Sequence, residues 1–386
     1  MKKDVLNVLE NNKIIPAKLR EARIARALSL RELSEKIGVT SQAISQYELG
    51  TSTPSPTIFL ELVKELGFPS TYFYKESSGK YLLSNSATYF RSNKGTSKKI
   101  KEALKIRIQW LDGINEFILQ YLNLPKVDLP NFDDLLDDED ISKANIEEIA
   151  MRLRKYWDLG EAPIPNMVSL LQKKGLIISK IKFNNKKVDA FSRWYNGKPY
   201  IILGEDKNSA VRSRFDLAHE LGHLIMHKNI NQEDLSNKEI LDRIENEADM
   251  FAAAFLLPLQ SFNKEVISSS INHFVILKKR WKVSISAMIR RCQDGEILTD
   301  NQIRYLKSQM IKERYYKREP LDDELKSENP YLFKQAFNVL LENKVINKQQ
   351  LLDEISLEPH EAEIMFTLEE GYFNIDSTPI MLAAIK

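Results

Sequence analysis

The sequence predicts a mainly α, α+β protein. Helical periodicity runs on both sides of one β-rich block, and the periodic stretches end at Gly or Pro. The block itself holds "LIISKIKF", "VDAFSRWY" and "PYIILG", short β-branched or aromatic segments parted by Asn184-Asn185 and Asn196-Gly197. The 386 residues, 43% hydrophobic and 28% charged, suffice for two or three domains with cores of their own. A formal net charge of +2 forces no nucleic-acid or membrane partner, so any such contact has to be local. The single cysteine, Cys292, excludes an intrachain disulfide and a cysteine-built zinc site and suits a reducing compartment. No run approaches the roughly 20 apolar residues of a membrane helix. The expectation is a cytoplasmic protein without a membrane partner.

Residues 16–75 are expected to be all-helical, in short amphipathic segments punctuated by Gly38, Gly50, Pro54 and Pro56. Residues 76–142 form a helical and charged linker region. Lys94, Lys98, Lys99, Lys101 and Lys105 lead into a helical pattern through Trp110, Ile114 and Phe117. The sign then reverses from Asp128 to Asp140, with no basic residue, as in a solvated linker between domains. Residues 143–320 begin with two helices stopped at Gly160 and Gly175. A small, mostly antiparallel sheet follows, with Asn196-Gly197 as a hairpin signal, and then the helical period returns. Within it, "RWKVSISAMIRR" has the look of a second helical turn motif, for which packing is the favoured role. The tail, 321–386, is helical and carries no chemical motif.

Within the first region, "LSLRELSEKIGVTSQAISQYELG" sets two short helices around Gly38-Val39-Thr40. Leu30, Leu33 and Ile37 are apolar on one helix, and Ala43, Ile44 and Tyr47 on the other. A helix-turn-helix needs this spacing: the first helix crosses the DNA backbone while the second presents polar side chains from its N-terminal end to base edges. Those residues are Ser41, Gln42, Ser45 and Gln46, and glutamine can pair bidentately with adenine. The stretch "LREARIARALSLRELSEKIGVTSQAISQYELGTSTPSPTIFLELVKELG" resembles the Xre family of phage-repressor helix-turn-helix domains. The resemblance implies operator DNA as partner, a possible homodimer on two half-sites, and a structural charged pair between Arg23 and Glu48.

The segment "RFDLAHELGHLIMH" places three of the five histidines four residues apart and contains a complete HExxH, from His219 to His223. On a helix the two histidines of the motif lie one turn apart on one face, so both can reach one Zn2+ at about 2.0–2.1 Å. Glu220 then stands beside the metal as the group that takes a proton from the attacking water and passes it to the leaving amine. His227 lies one turn further on, roughly 6 Å beyond His223 by helical rise. It is expected to be a second-layer, substrate-contacting or capping residue.

A catalytic zinc needs a third protein ligand, for which the helix "DRIENEADMFAAAFLLP" is the source. Glu247 shares a face with Phe251, Ala254 and Phe255 and is expected to point inward. Glu245 pairs instead with Asp249 at i+4, the spacing of a Glu ligand with an aspartate behind a histidine, and stays as the alternative. "RSRFDLAHELGHLIMH" followed by "ENEADMFAAAFLLP" resembles the ImmA/IrrE family of metallopeptidases, from about Ile146 to about Pro320. The resemblance implies a zincin-like helical core with a small sheet and a zinc held by His219, His223 and Glu247. It further implies Glu220 as general acid/base and a repressor or antitoxin protein as substrate. Tyr195, Tyr200 and His227 are candidates for the oxyanion stabiliser. The competing reading is a non-proteolytic transcription factor that keeps the metal fold as a sensor or dimerisation scaffold. A further one is a toxin-antitoxin component that acts by binding alone.

Overall fold

The computed structural model describes residues 13–75, 88–91 (as backbone), 97–136, 140–181, 190–204, 209–231 and 234–374. The expected turn at Asn184-Asn185 and most of the basic stretch before Ser97 lie outside them. The chain forms two compact units. One comprises Met1–Leu82, Thr96–Asn123 and Tyr331–Lys386, and the other Leu83–Gly95 and Leu124–Pro330. These boundaries differ from the expected divisions at 16–75, 76–142, 143–320 and 321–386.

In the first unit, α1 (Pro16–Ala25), α2 (Leu30–Ile37), α3 (Ser41–Leu49) and α4 (Pro56–Leu66) follow one another through short turns. Local chemistry sets each boundary. Ser29 and Glu32 form a reciprocal capping box at the start of α2, and Gly38 ends it with φ +71, where a side chain would be strained. Thr40 Oγ1 then accepts the Ala43 N–H and starts α3, and Pro56 occupies the first turn of α4. Leu19, Ala22, Leu33, Ile44, Phe59 and Leu62 meet in the core. The helix predicted around Trp110 is α5 (Lys98–Leu119), and it packs on α1. There Glu21 Oε1 accepts from Trp110 Nε1 at 2.7 Å and from the Tyr72 hydroxyl at 2.8 Å.

The second unit is built on a sheet of β1 (Thr88–Arg91), β2 (Ile177–Ile181), β3 (Ala190–Tyr195) and β4 (Lys198–Gly204), in the order β1-β3-β4-β2. The β1–β3 and β3–β4 pairs are antiparallel and the β2–β4 pair is parallel. Asn196 (φ +48) and Gly197 (φ +74) make the tight turn between β3 and β4 that their dipeptide predicts. The helices of this unit are α6 (Lys143–Tyr156), α7 (Met167–Lys173), α8 (Ala210–Met226), α9 (Lys238–Leu256), α10 (Leu259–Glu265), α11 (Ile271–Trp281), α12 (Ile285–Asp294) and α13 (Asp300–Lys312).

The sheet packs one face on α8, and α9 lies against α8 as well. The α8–α9 approach is close because Gly222 has no side chain: a Cβ there would stand 3.0 Å from the Phe251 ring. The acidic run does not behave as a solvated linker where it is described. Phe132 is buried in the core of this unit, with Leu129, Leu135 and Leu136 packed against it, so its apolar residues decide its place. Asp128 also bonds to Lys174 and Tyr156. In "RWKVSISAMIRR", Trp281, Val283, Ile285 and Met288 are core residues of the same unit, which makes the segment a packing element.

The tail returns to the first unit as α14 (Leu332–Glu342), α15 (Lys348–Ile355) and α16 (Pro359–Met365). Arg26 of the turn after α1 donates to both carboxylate oxygens of Glu361 at 2.6 and 2.7 Å, and Lys75 pairs with Glu354 at 2.7 Å. Sixteen helices and a small mixed sheet among the described residues bear out the mainly α, α+β class. None of these helices is long and apolar enough to cross a membrane.

Candidate metal centre and DNA-reading helix

Helix α8 turns a row of polar side chains inward: His219, Glu220, His223 and His227 are all buried. Burying such groups in an apolar core is costly unless each finds a partner or a metal. His219 Nε2 and His223 Nε2 face each other at 3.0 Å. Glu245 on α9 brings its Oε2 to 3.5 Å from His219 Nε2 and its Oε1 to 3.6 Å from His223 Nε2. Two donor atoms held at about 2.0–2.1 Å around one tetrahedral zinc stand about 3.3 Å apart, so the spacing suits a common ion.

The outer side of His219 is also arranged for this. Its Nδ1 lies 2.8 Å from Asp249 Oδ1, and a carboxylate there accepts the Nδ1–H. The lone pair then sits on Nε2, the atom that faces His223 and Glu245. Burial alone would raise the Glu245 carboxyl, but the hydrogen-bonding imidazoles of His219 and His223 outweigh it and hold it well below the usual carboxylate range. Desolvation lowers the His223 imidazole and pushes His227 down to about 4. Two imidazoles and one carboxylate converge, a donor set that fits a divalent cation. His219, His223 and Glu245 are the one such group of three among the described residues.

The expectation that Glu247 faces the histidine pair is corrected. Successive residues of a helix turn by about 100°, so Glu245 and Glu247 point about 200° apart. Glu247 Oε2 lies 2.8 Å from His227 Nε2, and its Oε1 accepts the Ile141 N–H at 3.3 Å. The apolar face of α9 leads into the core, where Glu247 is 5% exposed, whereas Glu245 stands at the rim of the site with 26% of its side chain exposed. His227 lies beyond the pair, its Nδ1 2.8 Å from His223 Nδ1, in the second layer.

The two tyrosines are corrected as well. Side chains alternate along a strand, and Ser192 and Trp194 of β3 bond to the α8 carbonyls of Glu220 and Leu224. Tyr195 therefore lies on the opposite face, together with Tyr200, which is paired with Arg193 across the sheet. Neither faces the metal pair. A cavity of about 750 Å³ is lined by His227, Glu247, Arg243 and Phe132, but by none of His219, Glu220, His223 and Glu245. It lies on the His227 side of the pair.

In the first unit, Gln42 and Gln46 are exposed on α3, as base readers have to be. Ser41 and Ser45 are half-buried, and Ser41 Oγ is 3.1 Å from Ser34 Oγ of α2. Ile44, on the other side of α3, is fully buried. Arg23 Nε and Nη2 donate to Glu48 Oε1 and Oε2 at 2.6 and 2.8 Å, a bidentate lock between α1 and α3.

Residues 171–293 match the family model of a peptidase family described as the IrrE N-terminal-like domain, and residues 19–73 match the helix-turn-helix family model. The two matches cover separate segments of the chain. The first match spans the sheet from β2 onward, α8, α9 and most of α12. The second spans α1 to α4. No curated protein matches the chain. The chain thus joins a segment similar to DNA-binding helix-turn-helix domains to one similar to a peptidase domain of metallopeptidase type.

Proposed function

We propose that this protein is a DNA-binding transcriptional regulator with a zinc-dependent endopeptidase in the same chain, and that its substrate is a repressor or antitoxin protein. The observation that carries the reading is the convergence of His219 Nε2, His223 Nε2 and the Glu245 carboxylate, whose donor atoms lie 3.0 to 3.6 Å apart, with Glu220 next to His219 in the chain. His219, His223 and Glu245 would hold the zinc, with Asp249 orienting His219. Zinc bound there would polarise the scissile carbonyl and make a water acidic enough to attack it near neutral pH.

Glu220 acts on protons. Its carboxylate takes one from the attacking water and delivers it to the amine leaving the cleaved peptide bond. Glu220 is fully buried, next to His219 in the chain. The helix-turn-helix domain would hold the peptidase at an operator, where repressor molecules are concentrated, and so raise the effective concentration of substrate. Such a protein works in the cytoplasm.

The test incubates the purified zinc-loaded protein with helix-turn-helix repressors, including a second copy of itself, and compares wild type with Glu220→Gln. Cleavage by wild type with at least about a 100-fold loss in the variant, at unchanged zinc content, is expected. Identical behaviour of the two proteins, with regulation intact, would leave a non-proteolytic regulator.

A further inference from the structure

Behind the metal pair, four groups from two helices and a loop form one line: the Ile141 N–H, Glu247, His227 and His223. The proposed function uses only the last. We propose that Glu247 and His227 are positioning residues that fix which nitrogen of His223 carries its proton, and so keep Nε2 of His223 ready for the metal. The inference rests on reading His219, His223 and Glu245 as a metal centre.

The argument follows the protons. Glu247 Oε1 accepts the Ile141 N–H at 3.3 Å, which turns its Oε2 toward His227. A carboxylate only accepts, so His227 Nε2, 2.8 Å from Glu247 Oε2, is the donor. A neutral imidazole has one N–H, which leaves the lone pair of His227 on Nδ1. That atom is 2.8 Å from His223 Nδ1, and two ring nitrogens at this distance need one hydrogen, or a shared metal ion, between them. His223 supplies the hydrogen, and its own lone pair then lies on Nε2, 3.0 Å from His219 Nε2.

The opposite arrangement, with the hydrogen carried by His227, would leave His223 as the Nε2–H tautomer with a proton where the metal has to bind. Asp249 does for His219 in one step what Glu247 does for His223 in two. Both ligands are thereby held in the same tautomer. All three residues of the relay are buried, so bulk water does not compete for these bonds.

Two measurements on the full chain test this. Long-range proton–nitrogen correlation spectra of the zinc-loaded wild type are expected to show His223 with its hydrogen on Nδ1 and His227 as the Nε2–H tautomer. The reverse assignment overturns the proposal without any substitution. Zinc affinity, read by competition with a chromophoric chelator, is expected to fall about 10- to 100-fold in His227→Phe and in Glu247→Leu. His227→Asn, whose amide oxygen can still accept from His223, is expected to recover most of the loss. Equal affinity in all of these variants overturns the relay. Failure of the wild type to bind zinc at all would instead overturn the metal centre, and loss of cleavage alone in Glu220→Gln touches neither.

Discussion

Cys292 has an acidity set wholly by where the fold puts it. Its side chain is buried in α12, and desolvation pushes the thiol up to about 12, so almost no thiolate exists near neutral pH. A thiol reagent at pH 8 is expected to label the native chain very slowly and the denatured chain at once. Fast stoichiometric labelling of the native protein would contradict its place in the core. At the proposed metal centre the sequence reached the pair that the structure brings together. His219, Glu220 and His223 follow from spacing alone, because four residues make one helical turn. Glu245 did not follow from hydrophobic patterning, which selects the residue aimed at the core. The proposed ligand Glu245 stands at the edge of the core instead, with 26% of its side chain exposed. The i+4 pairing of Glu245 with Asp249 was the signal that pointed to it, and the 2.8 Å contact of Asp249 with His219 is its structural meaning.

The metal site depends, at the level of elements, on how closely α9 can lie against α8, since one helix carries the histidines and the other Glu245 and Asp249. Gly222 permits that approach. Gly222→Val would drive two methyl groups toward Phe251 and the α9 backbone, with an expected loss of about 1–3 kcal/mol of stability by denaturant unfolding, together with weaker zinc binding. A variant of wild-type stability would show that the helices have room to spare. Capping signals in the first unit and the Asn196-Gly197 turn were readable because each is settled within a few residues. The parallel pairing of β2 with β4 and the face of β3 that meets α8 were not, since strand parity says which residues share a face but not what covers it.

For the whole molecule, both family resemblances were visible in local motifs, but the membership of the tail was hidden. Helices α14 to α16 belong with the helix-turn-helix through contacts such as Arg26 with Glu361, 335 residues apart, which no sequence period encodes. DNA recognition is expected to rest on α3. Gln42→Ala and Gln46→Ala should each weaken binding to the specific operator by about 1–3 kcal/mol and leave binding to unrelated DNA nearly unchanged, as read by titration at fixed salt. Equal losses on both DNAs would mean that these side chains hold the backbone and read no bases. The metallopeptidase half stands on the identity of its third ligand. The most direct measurement is zinc affinity and stoichiometry for wild type, Glu245→Ala and Glu247→Gln. One zinc per chain is expected in the wild type. Glu245→Ala should lose more than the roughly 10- to 100-fold attached to outer partners, while Glu247→Gln, whose amide oxygen still accepts from His227, should stay close to wild type. Zinc kept by Glu245→Ala and lost by Glu247→Gln would contradict the account.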